Sequence, residues 1–175
     1  MQRILIIGCG GAGKSTLAKR MGDITGLPVV HLDQVYWSPG NWNHVTREEF
    51  DEKLEQLLVK DQWIMDGDFS RTFPKRLEHC DTVIYLDFNR ITCLLHWLKR
   101  VITNWGKARP DMAEGCTEWF DPEFAKWIWN YNKVKRPANY ELLANSSGVQ
   151  CIILKNGRKV RKFLRTLEAE KEISV

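Results

Sequence analysis

Ile4-Leu5-Ile6-Ile7-Gly8-Cys9-Gly10-Gly11-Ala12-Gly13-Lys14-Ser15-Thr16 decides how the rest of the chain is read. Its first four residues are an apolar run of strand length. They lead straight into a glycine, four free positions and Gly-Lys-Ser, the P-loop pattern, and Leu17-Ala18-Lys19-Arg20-Met21 continues as a helix. Strand, glycine-rich turn and helix are the setting the pattern requires. Gly8, Gly10, Gly11, Ala12 and Gly13 keep side chains out of the way, so that backbone N–H groups can wrap around phosphate oxygens. The N–H groups and dipole of the helix opened by Lys14, Ser15 and Thr16 give an anion a second reason to sit there. Lys14 is then placed to reach β and γ phosphates, and the Ser15 hydroxyl to ligate Mg²⁺. The stretch predicts a site for a nucleoside triphosphate.

Working outward, 175 residues suffice for one well-buried domain with small insertions and are too few for two ordinary ones. We therefore expect a single unit over 1–175. The net charge of +4 suits a pocket for polyanions, but no block of Lys and Arg is dense enough for a nucleic-acid arm; 155–162 comes closest. Five cysteines are scattered and never paired at metal spacing, which argues against a disulfide framework or a structural zinc. Met1 is followed at once by the first strand, and no apolar run approaches a membrane span. The expectation is a protein of a reducing cytoplasm, with no membrane partner. Eight tryptophans suit the wall of a cleft or a contact between two copies of the chain, so a homodimer is an open expectation.

Four further short strands follow: Val29 to Leu32, Trp63 to Met65, Thr82 to Leu86 and Cys151 to Leu154. Acidic residues stand at the ends of three of them, at Asp33, Asp66 and Asp87. In open α/β sheets that end faces the ligand crevice. Asp33 thus reads either as a residue near the metal or the phosphoryl acceptor, or as a helix cap. Ser38-Pro39-Gly40-Asn41 is a loop, with Trp42 placed to cover an acceptor. Thr46 and Glu49 form a capping box for a scaffold helix with Phe50, Leu54, Leu57 and Leu58 inward. From Arg90 to Val101 a helix shows Leu94, Leu95, Leu98 and Val101 on one face, with Arg100 pointing to the cleft. Residues 104–120 lose periodicity and carry Lys107 and Arg109, as a lid over phosphates would. Asp121-Pro122-Glu123 opens a helix striped by Phe124, Trp127, Ile128 and Tyr131. Tyr140 to Leu143 suggests a separate short helix after Pro137, and Val160 to Glu168 a last one.

With these residues in view, the whole chain resembles the P-loop small-molecule kinases of the adenylate kinase type. Within them it is most similar to the branch called DNA topology modulation proteins. The resemblance rests on the P-loop, Leu32-Asp33 with Trp37 and Pro39, Trp63-Ile64-Met65-Asp66-Gly67, and Arg109-Pro110-Asp111-Met112 with Gly115-Cys116 and Glu118. It implies a three-layer α/β P-loop NTPase fold with a five-stranded parallel sheet in order 2-3-1-4-5, and small acceptor-binding and lid segments. It implies ATP and Mg²⁺, the metal near Ser15, Asp33 and Asp66. Asp33, Trp37, Asp66, Gly67 and Arg71 would face the acceptor, with Arg71 on its phosphate. The acceptor segment departs from the family's, being one residue longer and lacking its proline. Arg100, Arg109 and Arg136 would clamp the transferring group, and Gly157, Lys159 and Val160 would form the turn that stacks on adenine. The lid lacks the four zinc cysteines of some relatives, and the segment between the second and third strands is only about 30 residues.

The activity these residues predict is ATP-dependent phosphoryl transfer to a small acceptor: a nucleoside monophosphate, a nucleoside, another phosphorylated metabolite or a hydroxyl compound. The branch's label raises a second reading, a nucleotide-dependent regulatory or DNA-associated protein. The chain offers that reading neither a helix-turn-helix pattern nor a strong electrostatic footprint.

Overall fold

Alternate residues of the first strand point into different cores. In the computed structural model, which describes residues 1–40 and 42–173, β1 spans Arg3–Gly8. Ile4 and Ile6 join one apolar cluster and Leu5 and Ile7 another, all essentially inaccessible to solvent. A strand covered on both faces needs an uninterrupted apolar run, which is what the sequence supplies. Asn41, in the expected loop, lies outside the described residues.

The remaining strands are β2 (Val29–His31), β3 (Trp63–Asp66), β4 (Thr82–Leu86) and β5 (Gln150–Leu154). All pairings are parallel and the order is β2-β3-β1-β4-β5. From β1 the chain moves out to β2 and back to β3 on one side, then crosses β1 to β4 and β5 on the other, so the crevice at the carboxyl end of β1 is the switch point where α/β sheets bind ligands.

The helices are α1 (Lys14–Thr25), α2 (Leu32–Tyr36), α3 (Arg47–Leu58), α4 (Phe73–His79), α5 (Arg90–Thr103), α6 (Pro122–Asn145) and α7 (Gly157–Ile173). The capping box starts α3 as expected: Glu49 N–H donates to Thr46 Oγ1, and Thr46 N–H to Glu49 Oε2. α6 contributes Ile128 and Tyr131 to one cluster and Leu143 to the other, so it bridges the two layers.

Four expectations are revised. The second strand stops at His31, and Leu32 and Asp33 already belong to the first turn of α2. On α5 the buried line is Cys93, Trp97 and Val101, while Leu95 faces outward. Pro137 does not separate two helices; α6 continues through it. A proline inside a helix costs about 3 kcal/mol. Burial of Tyr131, Asn139 and Leu143 on either side holds the helix together, at roughly 1.5–3 kcal/mol for each large apolar side chain. Finally, α7 begins at Gly157, so the expected turn there is a helix start, with Asn156 Oδ1 accepting from Lys159 N–H.

Residues 104–120 fold back on themselves instead of forming an open loop. Bridges pair Trp105 with Glu118 and Ala108 with Thr117, and Met112, Ala113 and Cys116 form a small core against Trp37. No described helix is long and apolar enough to cross a membrane.

Candidate active site

The P-loop turn is shaped by what packs behind it. Gly11 has φ +77, and a Cβ there would stand 2.2 Å from the carbonyl oxygen of Cys93 on α5. A Cβ on Gly10 would meet the Phe124 ring of α6 at 2.5 Å. Gly11 is therefore closed to any side chain, while a side chain at Gly10 would have to displace the Phe124 ring. Lys14 Nζ donates to the carbonyls of Gly8 (2.9 Å) and Cys9 (3.1 Å), lying across the turn it follows. His96, one turn along α5 from Cys93, donates from Nδ1 to the Gly11 carbonyl at 3.1 Å.

Beside the P-loop, Ser15 Oγ donates to Asp66 Oδ2 at 2.7 Å, and His31 Nδ1 donates to Asp66 Oδ1 at 2.5 Å. Two adjacent strand ends, of β2 and β3, and the first turn of α1 thus meet at one buried carboxylate. Burial pulls the His31 pKa down, but its bond to Asp66 and the fields of Asp66, Asp111 and Asp33 outweigh this and raise it.

In front of the P-loop lies a cavity of about 520 Å³, within the range that small ligands occupy. Its floor is Gly10, Gly11, Gly13, Lys14, Ser15 and Thr16. Asp33, Trp37 and Trp42 close one side, and Arg100, Arg109 and Glu118 another. Burial raises the Asp33 carboxyl above its ordinary range, with Lys14 opposing.

The lid arginines do not stand free. Glu118, only 5% exposed, accepts from Arg100 Nε (3.1 Å) and Nη2 (3.0 Å) through Oε1. Its Oε2 lies 2.9 Å from Arg109 Nε, and Arg109 Nη1 donates to Asp111 Oδ2 at 2.9 Å. Burial lowers the Arg100 pKa, with Arg109 adding to the effect and Glu118 countering it.

Of the sequence-predicted residues, the cavity brings together Gly10, Gly11, Gly13, Lys14, Ser15, Thr16, Asp33, Trp37, Arg100 and Arg109. Asp66 stands behind Ser15, while Gly8 and Ala12 shape the turn from behind. The others are placed elsewhere. Arg71 forms a two-bond pair with Asp51 on the exposed face of α3, at 2.8 and 2.7 Å. Arg136 Nη2 donates to Asp87 Oδ2 at 2.7 Å, beside the Tyr140 hydroxyl on the same oxygen. Gly157, Lys159 and Val160 form the first turn of α7 and do not line the cavity. Lys107 is exposed. Gly67 is structural: its N–H donates to Ile6, and its carbonyl accepts from Arg76 Nη1 at 2.9 Å. Arg71, Arg136 and Gly67 each have a partner outside the cavity.

Sequence reasoning missed Arg76. It is completely buried and also donates through Nη2 to the carbonyls of Asp68 (3.0 Å) and Phe69 (2.9 Å). It thereby holds the loop after β3 in place without a carboxylate bonded to it, and burial lowers its pKa to about 10. Nothing in the local pattern distinguishes it from a surface arginine. His31 and Glu118 were legible only as polar residues near other candidates.

No family model matches the chain. It is 28% identical, over 110 residues, to an adenylate kinase of Clavibacter michiganensis subsp. michiganensis, a match covering 61% of this chain. The matched region is 53% of that protein, so the chain spans about half the length of the curated relative it matches. Among solved structures it is similar to a shikimate kinase from Acinetobacter baumannii in complex with shikimate, with a TM-score of 0.61 at 14% identity. That match covers 95% of this chain and 90% of the other. A deoxyadenosine kinase from M. mycoides, with dCMP and dCDP bound, gives 0.55 at 16% identity and covers 98% and 99%. The fold is that of the P-loop kinases.

Proposed function

We propose that this chain is an ATP-dependent kinase that transfers the γ-phosphoryl group to a small acceptor. The observation that carries this reading is one cavity with two kinds of wall. A phosphate-cradling backbone and Lys14 lie on one side, and Asp33, Trp37 and two arginines on the other. A simple triphosphate site has no use for the second wall.

The P-loop N–H groups and Lys14 would hold the phosphates of ATP. Ser15 at the cavity floor and Asp66 bonded behind it offer two hard oxygens, a donor set that fits Mg²⁺, which keeps most of its waters and takes one or two protein ligands. When bound, that ion would neutralise charge on the phosphates. Arg100 and Arg109 face the cavity where charge collects on the equatorial oxygens of the moving group. The acceptor oxygen forms a bond to the γ phosphorus as the bond to the β–γ bridging oxygen breaks. That electron pair leaves with ADP, and a hydroxyl acceptor's proton passes to Asp33. Similarity to the DNA topology modulation branch rests on the Asp33, Asp66-Gly67 and Arg109-to-Glu118 segments and adds no separate activity.

Labelled ATP with a panel of nucleosides, nucleoside monophosphates and sugars tests the reading. Acceptor-dependent transfer of label is expected. Equal, slow phosphate release with every compound and with none would end it.

A further inference from the structure

The charges around the cavity carry information about the acceptor, on the reading that the chain is a kinase. Three cations face it, Lys14, Arg100 and Arg109. Against them stand four carboxylates, Asp33, Asp111, Glu118 and Asp121. Lys14 lies on the P-loop and belongs to the donor. Both arginines are already matched, Arg100 by Glu118 and Arg109 by Glu118 and Asp111. Arg71, expected on an acceptor phosphate, and Arg136, expected on the transferring group, are bound outside the cavity to Asp51 and Asp87. Once ATP is in place, with or without its metal, the acceptor side holds no cation in surplus.

The rest of that side is aromatic. Trp37 and Trp42 meet edge to face at 5.3 Å, and Met112 and Trp119 join them in the lining. Such surfaces gain by covering the flat or apolar face of a ring, and they do nothing for a dianion. A phosphorylated acceptor would bring two negative charges into a partly buried site whose own balance is already negative, and like charges in such a setting are strongly rejected.

We infer that the acceptor is an uncharged hydroxyl compound with a flat or apolar face, of the nucleoside or sugar class, and that acceptors already carrying a phosphate are excluded. The excess of carboxylates acts as the filter: Glu118 and Asp111 leave the arginines available to the transferring group while denying them to a second phosphate.

The test uses matched pairs, a nucleoside with its 5′-monophosphate and a sugar with its phosphate, each offered with Mg²⁺ and labelled ATP. Binding of each pair is followed in parallel by tryptophan fluorescence with a non-hydrolysable ATP analogue, which needs no turnover. The unphosphorylated member should be preferred by on the order of a hundredfold in kcat/KM and in affinity. Glu118→Gln and Asp111→Asn each remove one carboxylate and should narrow that preference about tenfold. Should the Glu118 variant fail to fold, Asp111, 15% exposed in its side chain, carries the test alone. Preference for the phosphorylated member in either assay, or a preference the variants leave unchanged, overturns the inference and leaves the kinase reading standing. ATP cleavage that no acceptor stimulates overturns the kinase reading, and this inference with it.

Discussion

The floor of the cavity and its wall treat charge in opposite ways. At the floor, anion binding is built from backbone N–H groups, a helix start and one lysine, all within a few residues of chain. At the wall, each arginine comes with a carboxylate already bound to it, Glu118 reaching Arg100 from the next segment and Arg109 from within its own. The floor is a general device for phosphate, indifferent to what the phosphate is attached to. The wall is where one acceptor can be told from another, because its charges are balanced and a small change tips them.

The sharpest way to break this contrast is Lys14→Ala. Transfer should fall by at least about a hundredfold, as for loss of a main donor to transition-state charge, while circular dichroism shows an unchanged fold. Retained activity would mean the floor works without its only formal charge. Next in size, Arg76→Leu should cost about 3 kcal/mol or more in urea titrations, since it leaves the carbonyls of Gly67, Asp68 and Phe69 without donors. A variant as stable as the parent would show that the loop after β3 does not depend on it.

Asp33→Asn separates stability from activity. Burial raises the Asp33 pKa above the unfolded value, so ionised Asp33 disfavours the folded state at neutral pH. That penalty is fully present above the raised folded pKa, shrinks as pH falls below it and is gone below the unfolded pKa. The asparagine variant should therefore have a higher Tm at pH 7, converge with the parent on acidification, and transfer phosphate more slowly. A lower Tm at neutral pH would mean the carboxylate is stabilised by its surroundings. The smallest effect is expected of Arg71→Ala. Its pair with Asp51 is about half exposed, so stability should change by less than about 0.5 kcal/mol and the KM for the acceptor should not move. A rise in that KM would return Arg71 to the acceptor side.

The floor was legible in the sequence and much of the wall was not, for one physical reason. Strand, turn and helix at 4–16 are local, and their periodicity and glycine spacing are written in adjacent residues. The parallel order of strands agreed with what the family resemblance implied. An arginine's partner, in contrast, is chosen by tertiary packing. Arg100 and Glu118 are 18 residues apart, Arg71 and Asp51 are 20, and Arg136 and Asp87 are 49. Nothing at the position of Arg136 says that Asp87 and Tyr140 will claim it. The continuation of α6 through Pro137 was hidden likewise, since proline reads locally as a break and the compensating burial comes from elsewhere.

The segment after β2 and the segment after α5 lie some 75 residues apart in the chain, yet they are sewn together. Gly40 N–H donates to the Glu114 carbonyl at 2.8 Å, Gln34 Nε2 to Pro110 at 2.6 Å, and Trp42 Nε1 to Thr117 at 3.2 Å. Trp37 packs into the small core of Met112, Ala113 and Cys116 that the second segment forms. Neither segment can part from the other without breaking these bonds. Trp37 and Arg109 are therefore carried by one continuous piece of the cavity wall, and a substitution in either segment is felt by the other.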